Sequence, residues 1–303
     1  MTPATTQTGL VLRRTKSFYY IYVNGKVCLC RVKGNLFQNS RYDHKIAVGD
    51  RVEVDLEASD DAGWIYKVLP RSTKLTRPMS ENVEQVLVAN ADYLMVVSST
   101  KTPPFRYGLV DRFLITAERG GLTPVIVINK IDLGVDGLEP ILQLYQTLGY
   151  QVLCTSVATG EGLDILGSML HEKITILSGH SGVGKSSIIK ALFPDWDIRI
   201  GNVNEKGGKG KHTTTLAEMY PLPQGSGFIV DTPGIREMGL GISREELDQF
   251  FIEFETPRKF CGFKRCSHTH EPRCGVKEAL VDGQISEQRY ESYLSIFESL
   301  ENK

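Results

Sequence analysis

Two hydrophobic rhythms run along this chain, and one gives way to the other near residue 90. Over residues 9–69, short stretches rich in β-branched and aromatic side chains are GLVLRR (9–14), SFYYIYV (17–23), KVCLCRV (26–32), DRVEVDL (50–56) and GWIYKVL (63–69). Turn signals punctuate them at Asn24-Gly25, Gly34-Asn35, Gly49-Asp50 and Asp60-Asp61-Ala62-Gly63. Strands this short and this closely spaced predict a small closed barrel of the OB-fold type, because closure leaves no open edge to pair with another chain. Residues 70–90 carry two prolines and no clear period, and read as a linker into the next unit.

From residue 92 onward the apolar runs are continuous: DYLMVVSS (92–99), TPVIVIN (123–129), YQVLCTS (150–156), KITILSG (173–179) and GFIVDTPG (227–234). Strands buried on both faces have that signature. Helix-like stretches at 107–119, 137–148, 161–171 and 185–192 lie between them. The alternation predicts a parallel α/β sheet with helices on both sides. Residues 243–303 are helix-rich again. Ser243 and Glu246 form a capping-box pattern, and Tyr290, Tyr293, Leu294, Phe297 and Leu300 recur at helical spacing. A Cys- and Gly-containing segment, 261–275, lies between these two signals.

Composition narrows the class. Of 303 residues, 41% are hydrophobic and 23% charged, which is ordinary for a globular protein and excludes intrinsic disorder as the main state. With 29 glycines and 6 cysteines the chain is neither collagen-like nor a disulfide scaffold. No apolar run reaches the length of a membrane span, and the start, MTPATTQTG, lacks a signal-peptide core. A reducing cytoplasm with no membrane association is the expectation, with the cysteines as thiols. The net charge of −1 hides an asymmetry: residues 1–80 hold 13 Lys/Arg against 7 Asp/Glu, and the rest of the chain is mildly acidic. A polyanion partner and a chance imbalance explain this equally well on charge alone. Arg13, Arg14, Lys16, Lys26, Arg31, Lys33, Arg41 and Lys45 interleave with Phe18, Tyr19, Tyr20 and Tyr22. The cations are expected to contact RNA phosphates, while at least half of the aromatics are expected to fill the barrel.

The sharpest chemistry is GHSGVGKS: Gly179, His180, Ser181, Gly182, Val183, Gly184, Lys185 and Ser186, with Ser187 next. It fits G-x-x-x-x-G-K-S/T and sits between an apolar strand and a helix-prone stretch, as the motif requires. Its glycines let backbone N–H groups converge on phosphate oxygens, the helix dipole points at the same anion, Lys185 supplies charge, and Ser186 suits Mg²⁺. Asn129-Lys130-Ile131-Asp132 ends another strand. A carboxylate at Asp132 accepts from both N1–H and N2–H₂ of guanine, a pair that adenine lacks, and the stem of Lys130 suits the base face. Ser156, in TSVATGEGL, is placed to meet the base edge. Asp231 and Gly234, in DTPG, suit a water-held Mg²⁺ and the γ-phosphate. The stretch 201–215 ends in HTTT, whose threonines suit the Mg²⁺ shell.

Farther on, Cys261, Cys266, His268 and Cys274 stand at C-x4-C-x-H-x5-C. Thiolates with an imidazole suit one closed, structural, tetrahedral Zn²⁺ site. Spacing alone does not separate His268 from His270.

In order, N-K-I-D, TSVATGEG, GHSGVGKS, HTTT and DTPG are the elements of a translation-factor-type GTPase with their sequence permuted. Together with the barrel-like front and the cysteine-rich tail, this resembles the RsgA family of circularly permuted ribosome-biogenesis GTPases along essentially the whole chain. The resemblance implies a circularly permuted P-loop GTPase domain of α/β class over 77–242, after an OB-fold RNA-binding barrel over 1–76. A helical zinc-binding domain over 243–303 completes it. It implies that the protein, expected as a monomer, hydrolyses GTP to GDP with Mg²⁺, stimulated by the small (30S) ribosomal subunit and its rRNA, during late maturation. It favours His268 as the fourth zinc ligand and Thr214, or a neighbour in 213–215, as the switch I ligand. Where a water-orienting Gln is usual after DTPG, this chain has Ile235 and Arg236, so intrinsic hydrolysis is expected to be slow. His212 is the candidate substitute. Because DTPG leads directly into 243–303, its movement on γ-phosphate loss is expected to swing the zinc domain. A nucleotide-gated RNA-binding module and an ATP-using P-loop enzyme are the alternatives.

Overall fold

In the computed structural model, which describes residues 6–33, 46–57, 62–80, 83–196, 217–232 and 239–300, the first five strands close on themselves. They are β1 (Gln7–Arg14), β2 (Tyr19–Val23), β3 (Lys26–Val32), β4 (Arg51–Asp55) and β5 (Gly63–Val68), in the order β1-β2-β3-β5-β4, with β4 pairing back onto β1. The barrel core is aliphatic: Val11, Ile21, Val23, Ile46, Val52, Val54 and Ile65 pack with Cys30. This corrects the expectation that at least half of the aromatics fill it. Of Phe18, Tyr19, Tyr20 and Tyr22, Tyr19 alone packs against that core. Tyr22 meets Phe228 edge-on, and Tyr20 and Phe18 lie under the guanidinium groups of Arg13 and Arg31. A barrel this narrow is filled by β-branched side chains, and of these rings those of Phe18, Tyr20 and Tyr22 stay outside its core.

The presumed linker is a hairpin. Strands β6 (Lys74–Ser80) and β7 (Val83–Ala89) pair antiparallel, with Leu75 and Val88 in the large core. Pro78 obscured it: a proline argues against a central strand but is tolerated in a two-stranded ribbon with open edges. The hairpin is fastened to the barrel at its base. Arg71 grips Asp50 with two hydrogen bonds of 2.7 and 2.8 Å, and Asn90 donates to the Gly49 carbonyl at 2.9 Å.

The five continuous runs form parallel strands β8 (Tyr93–Ser99), β9 (Thr123–Asn129), β10 (Gln151–Cys154), β11 (Lys173–Gly179) and β13 (Gly227–Asp231). A short antiparallel strand, β12 (Glu218–Pro221), unforeseen in the sequence, closes the edge in the order β10-β9-β8-β11-β13-β12. Helices α1 (Tyr107–Gly120) and α2 (Leu138–Thr147) cover one face; α3 (Leu163–Leu170) and α4 (Lys185–Leu192) cover the other. Strand β8 shows why its run is unbroken: Leu94 and Val96 enter one core, Met95 and Val97 the other.

The C-terminal unit holds two helices, α5 (Gly275–Val281) and α6 (Glu287–Ser299), and short 3-10 turns at Leu247–Phe250, Ile252–Phe254 and Pro257–Phe260. Ser243 and Glu246 do bond, at 2.7 Å through the Ser243 N–H, but a 3-10 turn follows instead of an α-helix. This unit shares a core with Ile115 of α1, and Arg289 locks it there. The Arg289 side chain is 2% exposed and meets Asp111 of α1 at 2.6 Å and Glu253 at 2.6 Å. Burial works against the guanidinium charge, and the two carboxylates more than offset it, raising its pKa. Tyr145 of α2 donates to the same Asp111 at 2.8 Å.

Replacing Arg289 by Ala leaves Asp111 buried without its counter-ion. Denaturant unfolding should show a loss of about 3–5 kcal/mol, the usual cost of breaking a buried pair from one side.

Candidate functional site

The sheet order decides where the chemistry gathers. From β8 the chain builds outward through β9 and β10, then crosses back to lay β11 on the other side of β8. The carboxyl ends of β9 and β11 therefore flank this reversal, the place where open α/β sheets hold ligands.

The phosphate loop leaves β11 at Gly179, whose φ of 134° and closeness to β8 both demand glycine: a Cβ there would stand 2.0 Å from the Val97 carbonyl oxygen. Lys185, the first residue of α4, reaches back to the carbonyls of Gly179 and His180 at 2.9 and 3.0 Å. This arches the ammonium back over the loop from which α4 starts.

Asn129, at the end of β9, is 1% exposed. Its Nδ2 donates to the Val183 carbonyl at 2.9 Å, and its Oδ1 accepts from Thr155 Oγ1 at 3.1 Å. The amide is thus a strut between the two motifs. Gly184 makes room for it: a Cβ at that position would lie 2.3 Å from Nδ2, and its φ is 99°. Lys130 adopts a left-handed backbone, φ 63°, and its ammonium donates to the carbonyls of Thr102 and Gly182 at 2.6 and 2.5 Å. Its stem thereby crosses the gap between the two loops. Ile131 is buried and its N–H bonds Thr155 O at 3.3 Å. Ser156, fully buried, donates to Asp132 Oδ1 at 2.5 Å, which orients an otherwise exposed carboxylate.

Asp231 ends β13, the neighbour of β11, on the phosphate side of the sheet. His212, Thr213, Thr214, Thr215 and Gly234 lie outside the described residues, as do Arg41 and Lys45. Two contributors were missed in the sequence, Thr155 and Thr102. The first sits beside Ser156 in the motif already singled out; the second offers only a backbone carbonyl, which no side-chain pattern signals.

The second cluster is compact. The ligand atoms of Cys261, Cys266, His268 and Cys274 all lie within 4.8 Å of one another. His268 Nδ1 is 3.6 Å from Cys261 Sγ and 3.4 Å from Cys274 Sγ, and those two sulfurs are 4.0 Å apart. A tetrahedron with Zn–S bonds of about 2.3 Å has edges of roughly 3.8 Å, so the donors fit one zinc ion. His268, not His270, lies in this cluster: His270 is exposed and its ring bonds Thr269 Oγ1 at 2.9 Å. Burial and the neighbouring thiols push Cys266 up to about 12.

A family model described as "RsgA GTPase" matches residues 68–241, and one described as "RsgA N-terminal domain" matches residues 8–65. A "Small ribosomal subunit biogenesis GTPase RsgA" of Chlorobaculum tepidum is 40% identical over 97% of this chain and 98% of its own length. Its namesake in Gemmatimonas aurantiaca is 41% identical over 98% of each chain. Among solved structures, YjeQ from Thermotoga maritima superposes with a TM-score of 0.79 at 35% identity, covering 98% of this chain and 99% of that one. YloQ, titled a circularly permuted GTPase, gives 0.74 at 27% identity, with 98% and 95% covered.

The strut can be tested directly. Asn129→Ala strands the Val183 carbonyl and the Thr155 hydroxyl, at a cost of about 1–3 kcal/mol. Equilibrium binding of a fluorescent GDP should weaken by roughly tenfold to a hundredfold, with the circular dichroism spectrum unchanged.

Proposed function

The chain belongs to the RsgA GTPase family and is a GTP-hydrolysing enzyme, and from that premise we propose that its partner is the small ribosomal subunit, which it serves late in maturation. The observation that carries the reading is the direct bond from Asn129 to Val183, which joins a guanine-selecting motif to a phosphate cradle. In this reading Asp132 accepts from the guanine edge, Lys130 lies along the base, Ser156 orients Asp132, and Ile131 and Asn129 hold the motif in register. Gly179 to Ser187 bind the phosphates through backbone N–H groups and Lys185. Mg²⁺, which the family implies, supplies charge for the leaving diphosphate; Ser186, Asp231 and Thr214 are the residues that would hold it, and Gly234 would meet the γ-phosphate. His212 takes the part of the absent Gln.

Cys261, Cys266, His268 and Cys274 hold a structural zinc, which supplies folding energy to a segment with few apolar residues. The barrel supplies the cations for rRNA: Arg13, Arg31 and Lys33 lie over Tyr20, Phe18 and Tyr66 at 4.1, 4.7 and 4.6 Å, which fixes their side chains on the outer face. The functional units are an RNA-binding barrel over 1–76, the GTPase over 77–242 and the zinc unit over 243–303, in a cytoplasmic monomer. No helix among the described residues is long and apolar enough to cross a membrane.

Phosphate release from GTP should be slow for the protein alone and rise strongly on addition of purified small subunits; equal rates with and without them would refute the proposal. His212→Ala should abolish most of that stimulation while leaving GTP affinity intact. Binding to rRNA should fall steeply with salt, as expected for contacts made by exposed cations.

A further inference from the structure

The four zinc ligands leave one buried group unexplained. His268 turns Nδ1 toward the sulfurs of Cys261 and Cys274, so its other ring nitrogen faces away from the cluster. That Nε2 is buried and has no hydrogen-bond partner among the described residues. The nearest charge is Oδ2 of Asp248, at 3.6 Å, just beyond hydrogen-bond reach. The rest of the surroundings is fixed. Phe254 stands edge-on to the imidazole with ring centres 5.8 Å apart, Tyr293 packs at 6.2 Å, and the Tyr290 hydroxyl donates to the His268 carbonyl at 2.7 Å.

We propose that Asp248 is a positioning residue for the metal, accepting the Nε2–H of His268 and so reserving the Nδ1 lone pair for zinc. The requirement comes from where the ring carries its proton. A neutral imidazole carries one N–H and one lone pair. If Nδ1 ligates, Nε2 must bear the proton, and a buried N–H without an acceptor is costly. A carboxylate is the acceptor best suited to that place, because it also makes the ring a stronger donor to the metal. Its own charge is the difficulty, since three thiolates and one Zn²⁺ already sum to −1. Arg258 answers it: its guanidinium meets the same Oδ2 at 3.4 Å. Asp248 lies in the 3-10 turn Leu247–Phe250, ahead of every ligand in the chain, and Leu247 and Phe251 beside it are buried in the C-terminal core. The acceptor is thereby anchored by packing that does not depend on the cysteine loop.

The proposal rests on the four residues being zinc ligands, and the experiment separates the two claims. Zinc affinity is measured by competition with a chromophoric chelator for the wild type, Asp248→Ala and Asp248→Asn. The Co²⁺-substituted forms are examined by visible absorption. Asp248→Ala should weaken zinc binding by about 10–100-fold, the usual effect of removing such a partner, while Co²⁺ still gives a tetrahedral spectrum with three sulfur ligands. Asp248→Asn retains an acceptor oxygen and should recover most of the loss. Both variants within about threefold of the wild type would overturn the proposal. An equal loss in both would overturn it as well, since charge pairing with Arg258, and not acceptance from the imidazole, would then be the operative contact. A wild type that binds no zinc would instead refute the ligand assignment itself.

Discussion

One hydrogen bond holds two halves of a permuted site in register. The Asn129 amide, buried at the end of β9, reaches across the mouth of β8 to the carbonyl of Val183 inside the phosphate loop. Everything else nearby is arranged around that reach. Gly184 has no side chain because a Cβ would collide with the amide, and Thr155 takes the amide's other end. Lys130 doubles the bridge through Gly182. Permutation changes which motif the ribosome makes first, but it leaves this contact untouched, because strand order in the sheet and not order along the chain sets what meets at the carboxyl edge.

The same constraint shapes how the nucleotide site is tied to the rest of the molecule. The loop before α1 offers the Thr102 carbonyl to Lys130, and α1 carries Asp111, which holds Arg289 of α6. Helix α6 in turn grips the cysteine-containing loop, through Tyr290 to the His268 carbonyl and Tyr293 to the Ser267 carbonyl at 2.8 Å. The C-terminal unit is thus bound to α1 by a buried ion pair and a shared core. Residues 239–242 reinforce this: Leu240 and Ile242 enter the same core, and Gly241 lies against the Arg119 guanidinium. A swing of the C-terminal unit independent of α1 would have to break these contacts.

Much of this was legible in the sequence because the relevant signals are local. Continuous apolar runs marked the five parallel strands, and motif positions at strand ends placed Asp132, Lys185 and Asp231. What escaped was set by tertiary contacts. The β6–β7 hairpin was hidden by Pro78 and by a half-polar pattern that makes sense only once Leu75 and Val88 are seen entering a core built by later segments. The aromatics of β2 looked like barrel filling because ring counts do not reveal barrel width. The choice of His268 over His270 and the pairing of Arg289 with Asp111 depend on where loops and helices come to rest, which spacing does not encode.

The central claim is that both motifs serve a single guanine nucleotide. Calorimetric titration of the protein with GDP in the presence of Mg²⁺, followed by challenge with excess ATP, tests it most directly. The account predicts one GDP site per chain, from which ATP does not displace the ligand. A stoichiometry of two, or displacement by ATP on equal terms with GTP, would contradict it.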